Sequence, residues 1–157
     1  MNKFALLLPL IFGFGPAELS FAAGENSQQD PSAIVGRRIA SQASAYMGTR
    51  YKFGGRTKRG LDCSGLITRV FEDLNLGKLP HQSSVLYKLG RPIGPEEVQA
   101  GDLVFFENTY RPGISHVGIY TENAEFIHAS GRRQGVTLNK LTQPYYLRRI
   151  VGARRLY

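Results

Sequence analysis

Residues 114–130 read Ile-Ser-His-Val-Gly-Ile-Tyr-Thr-Glu-Asn-Ala-Glu-Phe-Ile-His-Ala-Ser, and the fold class turns on how this stretch is laid out. Two short runs rich in β-branched, apolar and aromatic residues, 114–120 and 125–129, are divided by the small and polar residues 121–124. A parallel crossover needs about a dozen residues or more, so this gap predicts two antiparallel strands. Pairing His116 with His128 centres the connection on residue 122 and puts the two imidazoles on one face of the sheet.

Outward from this hairpin the pattern continues on either side. Asp102–Phe106, Val136–Asn139 and Ile150–Leu156 are further strand-like runs, punctuated by Gly, Pro and Asn. Upstream the period becomes helical. Asp30-Pro31 is a capping residue followed by a proline suited to the first helical position, and Val35, Ile39, Ala43 and Tyr46/Met47 recur on one face until Gly48. A second helix carries Leu66, Ile67, Val70, Phe71 and Leu74 on its buried face, with Asp62 as N-cap and Gly77 as stop. Residues 51–60 form a glycine-rich, basic loop before it, and a short helical turn follows Ser83 and ends at Gly90. Helices followed by strands, without alternation, predict an α+β domain whose N-terminal helices pack on a central antiparallel sheet.

The chain of 157 residues, 42% of them apolar, has the size and core-forming capacity of one domain. Its start reads as an address. Lys3 precedes the apolar run Phe4–Phe14, and Ser20-Phe21-Ala22 supplies small residues before a cut. The run falls short of the ~20 residues of a membrane span. Residues 1–22 are therefore expected to be a signal peptide, 23–30 a linker and 31–157 the working domain. Export to the periplasm or beyond follows, with no stable membrane insertion after cleavage and a monomer as the expected state. The net charge is +8 and the last acidic residue is Glu125, after which come Arg132, Arg133, Lys140, Arg148, Arg149, Arg154 and Arg155. Such a tail suits an anionic polymer or serves as a solvated face, and nucleic acid is not an expected partner.

There is a single Cys, which excludes an internal disulfide, and there are three His. Cys63 lies in Leu61-Asp62-Cys63-Ser64-Gly65-Leu66, in the first turn of the second helix and ahead of its buried stripe. Unpaired N–H groups and the helix dipole favour an anion there, so a lowered thiol pKa is expected. A thiolate nucleophile needs a base, and the 116/128 pair offers one imidazole to take the proton and another to orient it. The backbone N–H of Cys63 is a natural oxyanion donor. Rival readings are a zinc site made of His81, His116 and His128, and a non-catalytic binding protein.

These residues carry a resemblance. Tyr51-Lys52-Phe53-Gly54-Gly55, Asp62-Cys63-Ser64-Gly65, Gly101-Asp102-Leu103-Val104-Phe105-Phe106, His116-Val117-Gly118-Ile119-Tyr120 and Phe126-Ile127-His128-Ala129-Ser130 occur in this order, and Gly152-Ala153-Arg154-Arg155 closes the pattern. Over roughly residues 33–157 the chain resembles the NlpC family of papain-like cell-wall cysteine peptidases. The resemblance implies a papain-like fold and a catalytic triad of Cys63, His116 and His128. It implies that Tyr51 borders the site and helps stabilise the oxyanion, and that Asp62, with Ser64 and Ser83, contacts the ligand. It further implies hydrolysis of peptidoglycan or muropeptide stems, mostly at the bond between D-glutamate and a diamino acid, with no metal or organic cofactor. A cell-wall amidase or an acyltransferase of the same fold is the alternative. One segment departs from the family pattern: in Leu79-Pro80-His81-Gln82-Ser83-Ser84-Val85-Leu86, His81 stands where Arg is common and Val85 or Leu86 where Gln is common. That departure bears on subsite preference.

Overall fold

The computed structural model describes residues 30–157. The expected signal peptide, and the linker up to residue 29, lie outside the described residues. Helix α1 spans Pro31–Ser44; Asp30 caps it by accepting from the Ser32 backbone N–H at 2.9 Å. Its buried face is Gly36, Ile39, Ala40 and Ala43, and Tyr46 continues that face while Met47 points out to solvent. The loop after it contains a small hairpin that composition did not reveal, β1 (Arg56–Thr57) and β2 (Gly60–Leu61). Helix α2 spans Cys63–Asp73 with Asp62 as N-cap. It ends earlier than Gly77: Asn75 already takes the left-handed conformation, at φ 56°. The short α3 (Ser83–Leu86) follows.

The remaining elements are β3 (Arg91–Ile93), a 3-10 turn (Pro95–Glu97), β4 (Leu103–Glu107), β5 (Ile114–Tyr120), β6 (Glu125–Gly131), β7 (Gly135–Lys140), α4 (Pro144–Leu147) and β8 (Ile150–Arg155). The larger sheet runs β3-β8-β4-β5-β6-β7, and every neighbouring pair is antiparallel. The expected α+β class is the one adopted. Sequence reading missed β3 and α4, which are short, and their Arg-Pro-Ile and Pro-Tyr-Tyr-Leu give no periodicity to detect.

Alternation along the strands makes two cores. Phe105, Val117, Ile119, Ile127, Ala129 and Val136 meet the apolar faces of α1 and α2. On the opposite side Val104, Phe106, Phe126 and Ala153 form a smaller cluster with Tyr146 of α4.

The β5–β6 register differs from the expected one. Ile119 faces Ile127 and Tyr120 faces Phe126, so the connection centres on residue 123 and His128 stands beside Gly118. The cause is a tight turn in which Asn123 and Ala124 both take left-handed backbone, at φ 53° and 57°. A shift of two residues preserves the face, so the histidines still share one.

Candidate active site

Four segments converge on the site. The N-terminus of α2 presents Cys63. Its position is fixed by Asp62, whose Oδ1 accepts from the Gly65 N–H at 2.7 Å and whose Oδ2 accepts from the Gly54 N–H at 2.8 Å. The loop thus binds to the helix mouth, and Gly65 permits the approach: a Cβ there would lie 1.9 Å from the Gly55 carbonyl oxygen. Tyr51 bridges to Leu61 immediately before this cap, which lays its side chain beside the site.

Cys63 is the first residue of α2 and only 6% exposed. Its sulfur faces the backbone N–H groups of Val117, Ser64 and Cys63 itself, so it rests against β5 one residue from His116. The expected lowering of the thiol pKa does not hold in this resting arrangement. Burial, followed by the negative charge of Asp62, pushes the thiol up to about 12, and the N–H groups offset this only in part.

His116 and His128 meet edge to face across β5 and β6, with Nε2 of His116 2.6 Å from Nδ1 of His128. Both are buried against Phe106, Phe126 and Tyr146. Burial, reinforced by His128, holds His116 well below the usual imidazole range. Burial lowers His128 to about 4 against the opposing effect of its hydrogen bond to Asn139. At neutral pH both rings are therefore uncharged. Because His116 spends Nε2 on His128, Nδ1 is the ring atom left to exchange a proton. Among the described residues no hydrogen bond links the thiol to His116 at rest.

A cleft of about 330 Å³ opens onto this pair, lined by Tyr51, His116 and His128 together with Tyr110, Tyr145 and Tyr146. Burial, then the neighbouring Cys63 and Asp62, pushes the Tyr51 hydroxyl up to about 12, so it stays a donor. At the rim the Arg111 and Arg149 guanidinium groups lie over the rings of Tyr110 and Tyr145.

Cys63 is not among the residues that line this cleft, and Asp62, Ser64 and Ser83 lie outside its lining as well. Asp62 is occupied by its cap bonds and by His81, which donates from Nε2 at 2.7 Å; the Ser64 hydroxyl also turns to Asp62, at 3.3 Å. Ser83 is buried at the start of α3. Leu86 is fully buried in the core, while Val85 is exposed. His81 thus partners Asp62, apart from the other two histidines, and among the described residues no group of three or more His, Cys, Asp or Glu is placed to hold a metal ion.

Sequence reasoning missed Asn139, whose Oδ1 accepts from His128 Nε2 at 2.8 Å, and Tyr146, whose hydroxyl lies 3.4 Å from the same nitrogen. It also gave no role to Gly118, where a Cβ would lie 2.6 Å from a Phe126 ring carbon and 3.1 Å from the Cβ of His128. The only available signal was the polar Asn139 closing an apolar run.

The model of the NlpC/P60 family matches residues 48–155. A gamma-DL-glutamyl hydrolase of Bacillus subtilis is 39% identical over 118 residues, which is 74% of this chain and 28% of that protein. The murein DD-endopeptidase MepS/murein LD-carboxypeptidase of Escherichia coli K12 is 37% identical over 124 residues, 78% of this chain and 63% of that protein. The chain therefore spans less than two thirds of either relative. Among solved structures, a lipoprotein-like NLP/P60 family protein of Staphylococcus aureus superposes with a TM-score of 0.69 at 37% identity, covering 81% of this chain and 42% of that one. The fold is the papain-like arrangement these structures share.

Proposed function

The chain belongs to the NlpC/P60 family, and from that premise we propose that it is a cysteine endopeptidase that hydrolyses the peptide stems of peptidoglycan. The observation that carries this reading is the buried His116–His128 pair, together with a cysteine at a helix N-terminus whose sulfur faces the backbone N–H of Val117, the residue after His116. Cys63 is the nucleophile, His116 the base and His128 the residue that orients it.

The chemistry proceeds from a neutral pair. As sulfur attacks the scissile carbonyl carbon, its proton passes to Nδ1 of His116, so the thiolate need not be stored beforehand. The Cys63 backbone N–H and the Tyr51 hydroxyl receive the charge that develops on the carbonyl oxygen. When the C–N bond breaks, the His116 imidazolium returns its proton to the leaving amine. Water, deprotonated by His116, then attacks the thioester and restores the thiol. No cofactor enters these steps.

The bond we propose is that between D-glutamate and the diamino acid of the stem. The Bacillus relative is by name a glutamyl hydrolase, which supports this choice, whereas the E. coli relative is by name a DD-endopeptidase. Lys3, the apolar run Phe4–Phe14 and the small residues Ser20 and Ala22 support export to the envelope, where the net charge of +8 favours encounter with an anionic wall. An amidase or acyltransferase would use the same residues with a different leaving group or acceptor.

Digestion of purified muropeptides followed by mass spectrometry tests the proposal. Cys63→Ala and His116→Ala should each lower turnover by about three orders of magnitude or more with folding intact. His128→Gln, which keeps a hydrogen-bonding group, should lose less. A product cut elsewhere than after D-glutamate refutes the bond, and full activity in Cys63→Ala refutes the mechanism.

A further inference from the structure

We infer that Asn139 dictates which nitrogen carries the proton in both cleft histidines, and thereby keeps Nδ1 of His116 a bare lone pair. The inference rests on His116 being the base for Cys63. Asn139 touches neither substrate nor sulfur, so it is a positioning residue.

The path crosses three strands on one face of the sheet. On β7, Asn139 stands opposite Phe126, and Thr137 stands opposite His128, so the contact from His128 to Asn139 is a diagonal step of two residues. The step from His128 to His116 is likewise diagonal, given the β5–β6 register. An amide oxygen can only accept. Three contacts agree with that oxygen's placement. The Tyr146 hydroxyl donates to Oδ1 at 3.4 Å, His128 Nε2 lies 2.8 Å from Oδ1, and the amide nitrogen donates to Gln143 Oε1 at 3.4 Å. With the Asn139 amide alone reversed, two carbonyl oxygens, those of Asn139 and Gln143, would face each other.

The proton positions then follow in order. His128 must carry its proton on Nε2 to meet Oδ1. Its ring is neutral at pH 7, so Nδ1 holds a lone pair. That lone pair is 2.6 Å from His116 Nε2 and requires a proton there. His116, also neutral, is left with none on Nδ1. A single amide at the edge strand thus readies a base two hydrogen bonds away.

Long-range proton–nitrogen NMR of the ¹⁵N-labelled protein at pH 7.5 reads this directly, since protonated and bare ring nitrogens differ widely in shift. In the wild type both rings should carry the proton on Nε2. Asn139→Leu removes the acceptor and leaves the Tyr146 hydroxyl as the polar neighbour of His128 Nε2. The hydroxyl then donates to that nitrogen, and the protons of both rings move to Nδ1. Hydrolysis by this variant should fall about tenfold or more in kcat, with KM within about twofold. Asn139→Asp, still an acceptor, should keep the wild-type ring pattern and restore kcat to within about threefold.

A wild-type His116 protonated on Nδ1 overturns the inference. So does Asn139→Leu with either ring assignments or kcat unchanged. If Asn139→Leu does not fold, the wild-type and Asn139→Asp spectra decide. The two readings fail separately: ring protons that follow Asn139 while Cys63→Ala keeps full turnover would defeat the peptidase mechanism and leave the proton positions standing.

Discussion

At Cys63 two effects of different size compete. A helix terminus stabilises an anion by roughly 0.3–1 kcal/mol, whereas each pKa unit corresponds to about 1.4 kcal/mol. Burial and Asp62 push the thiol from 9.0 to about 12, more than the helix mouth can offset. Alkylation of Cys63 by iodoacetamide should therefore show no fast thiolate plateau between about pH 5 and 7, and its rate should climb above pH 8. A flat, rapid reaction across the acid range would show a resting ion pair instead. The sequence led to this sulfur and to His116 and His128 because one Cys and three His leave few candidates. It could not show how deeply the sulfur sits, because burial depends on what β5 and Tyr51 place over it. Asn139 was illegible for a related reason: its contact spans two strands whose relative register depends on a turn.

The β5–β6 turn is where element-level reading slipped. The sequence placed both strands and the shared face of the histidines, since alternation survives a shift of two residues. The centre of the connection was misjudged because Asn123-Ala124 lacks the glycine that normally announces a turn with two left-handed residues. Ala124 bears the cost of its φ of 57°, so Ala124→Gly should stabilise the protein by about 1 kcal/mol with unchanged activity. Gly118→Ala should do the reverse. Its new methyl group meets Phe126 and His128, costing about 1–3 kcal/mol and lowering kcat by displacing the ring. Urea midpoints and muropeptide turnover of the two variants check this pair. Equal effects on stability would remove the assigned role of Gly118.

Over the described residues, helices that come first and strands that follow produce a sheet with a core on each face. The helix-facing core was legible from periodicity. The smaller one was not, because α4 is too short to show any. Far from the cleft, Arg155 near the C-terminus donates from Nε and Nη2 to the buried carboxylate of Asp102, each at 2.8 Å, and ties β8 to the start of β4. The histidine pair has a global effect too. Unfolded histidines titrate near 6.5, but His128 in the fold does so at about 4 and His116 well below its usual value. Below pH 6.5 the unfolded chain takes up protons that the fold refuses, so this contribution is complete above 6.5 and is lost as pH falls. For His128 alone the loss is on the order of 3 kcal/mol by pH 4. Thermal midpoints measured from pH 7 to pH 4 should drop less steeply for His128→Gln than for the wild type. Parallel curves would mean that the ring is not buried neutral.

A buried, protonated sulfur has one more consequence. Peroxide attacks thiolates far faster than thiols, and a side chain 6% exposed offers little to strike. Between turnovers Cys63 rests in its least oxidisable form, so the molecule can wait in an aerated medium without a reductant and without a second cysteine to rescue it.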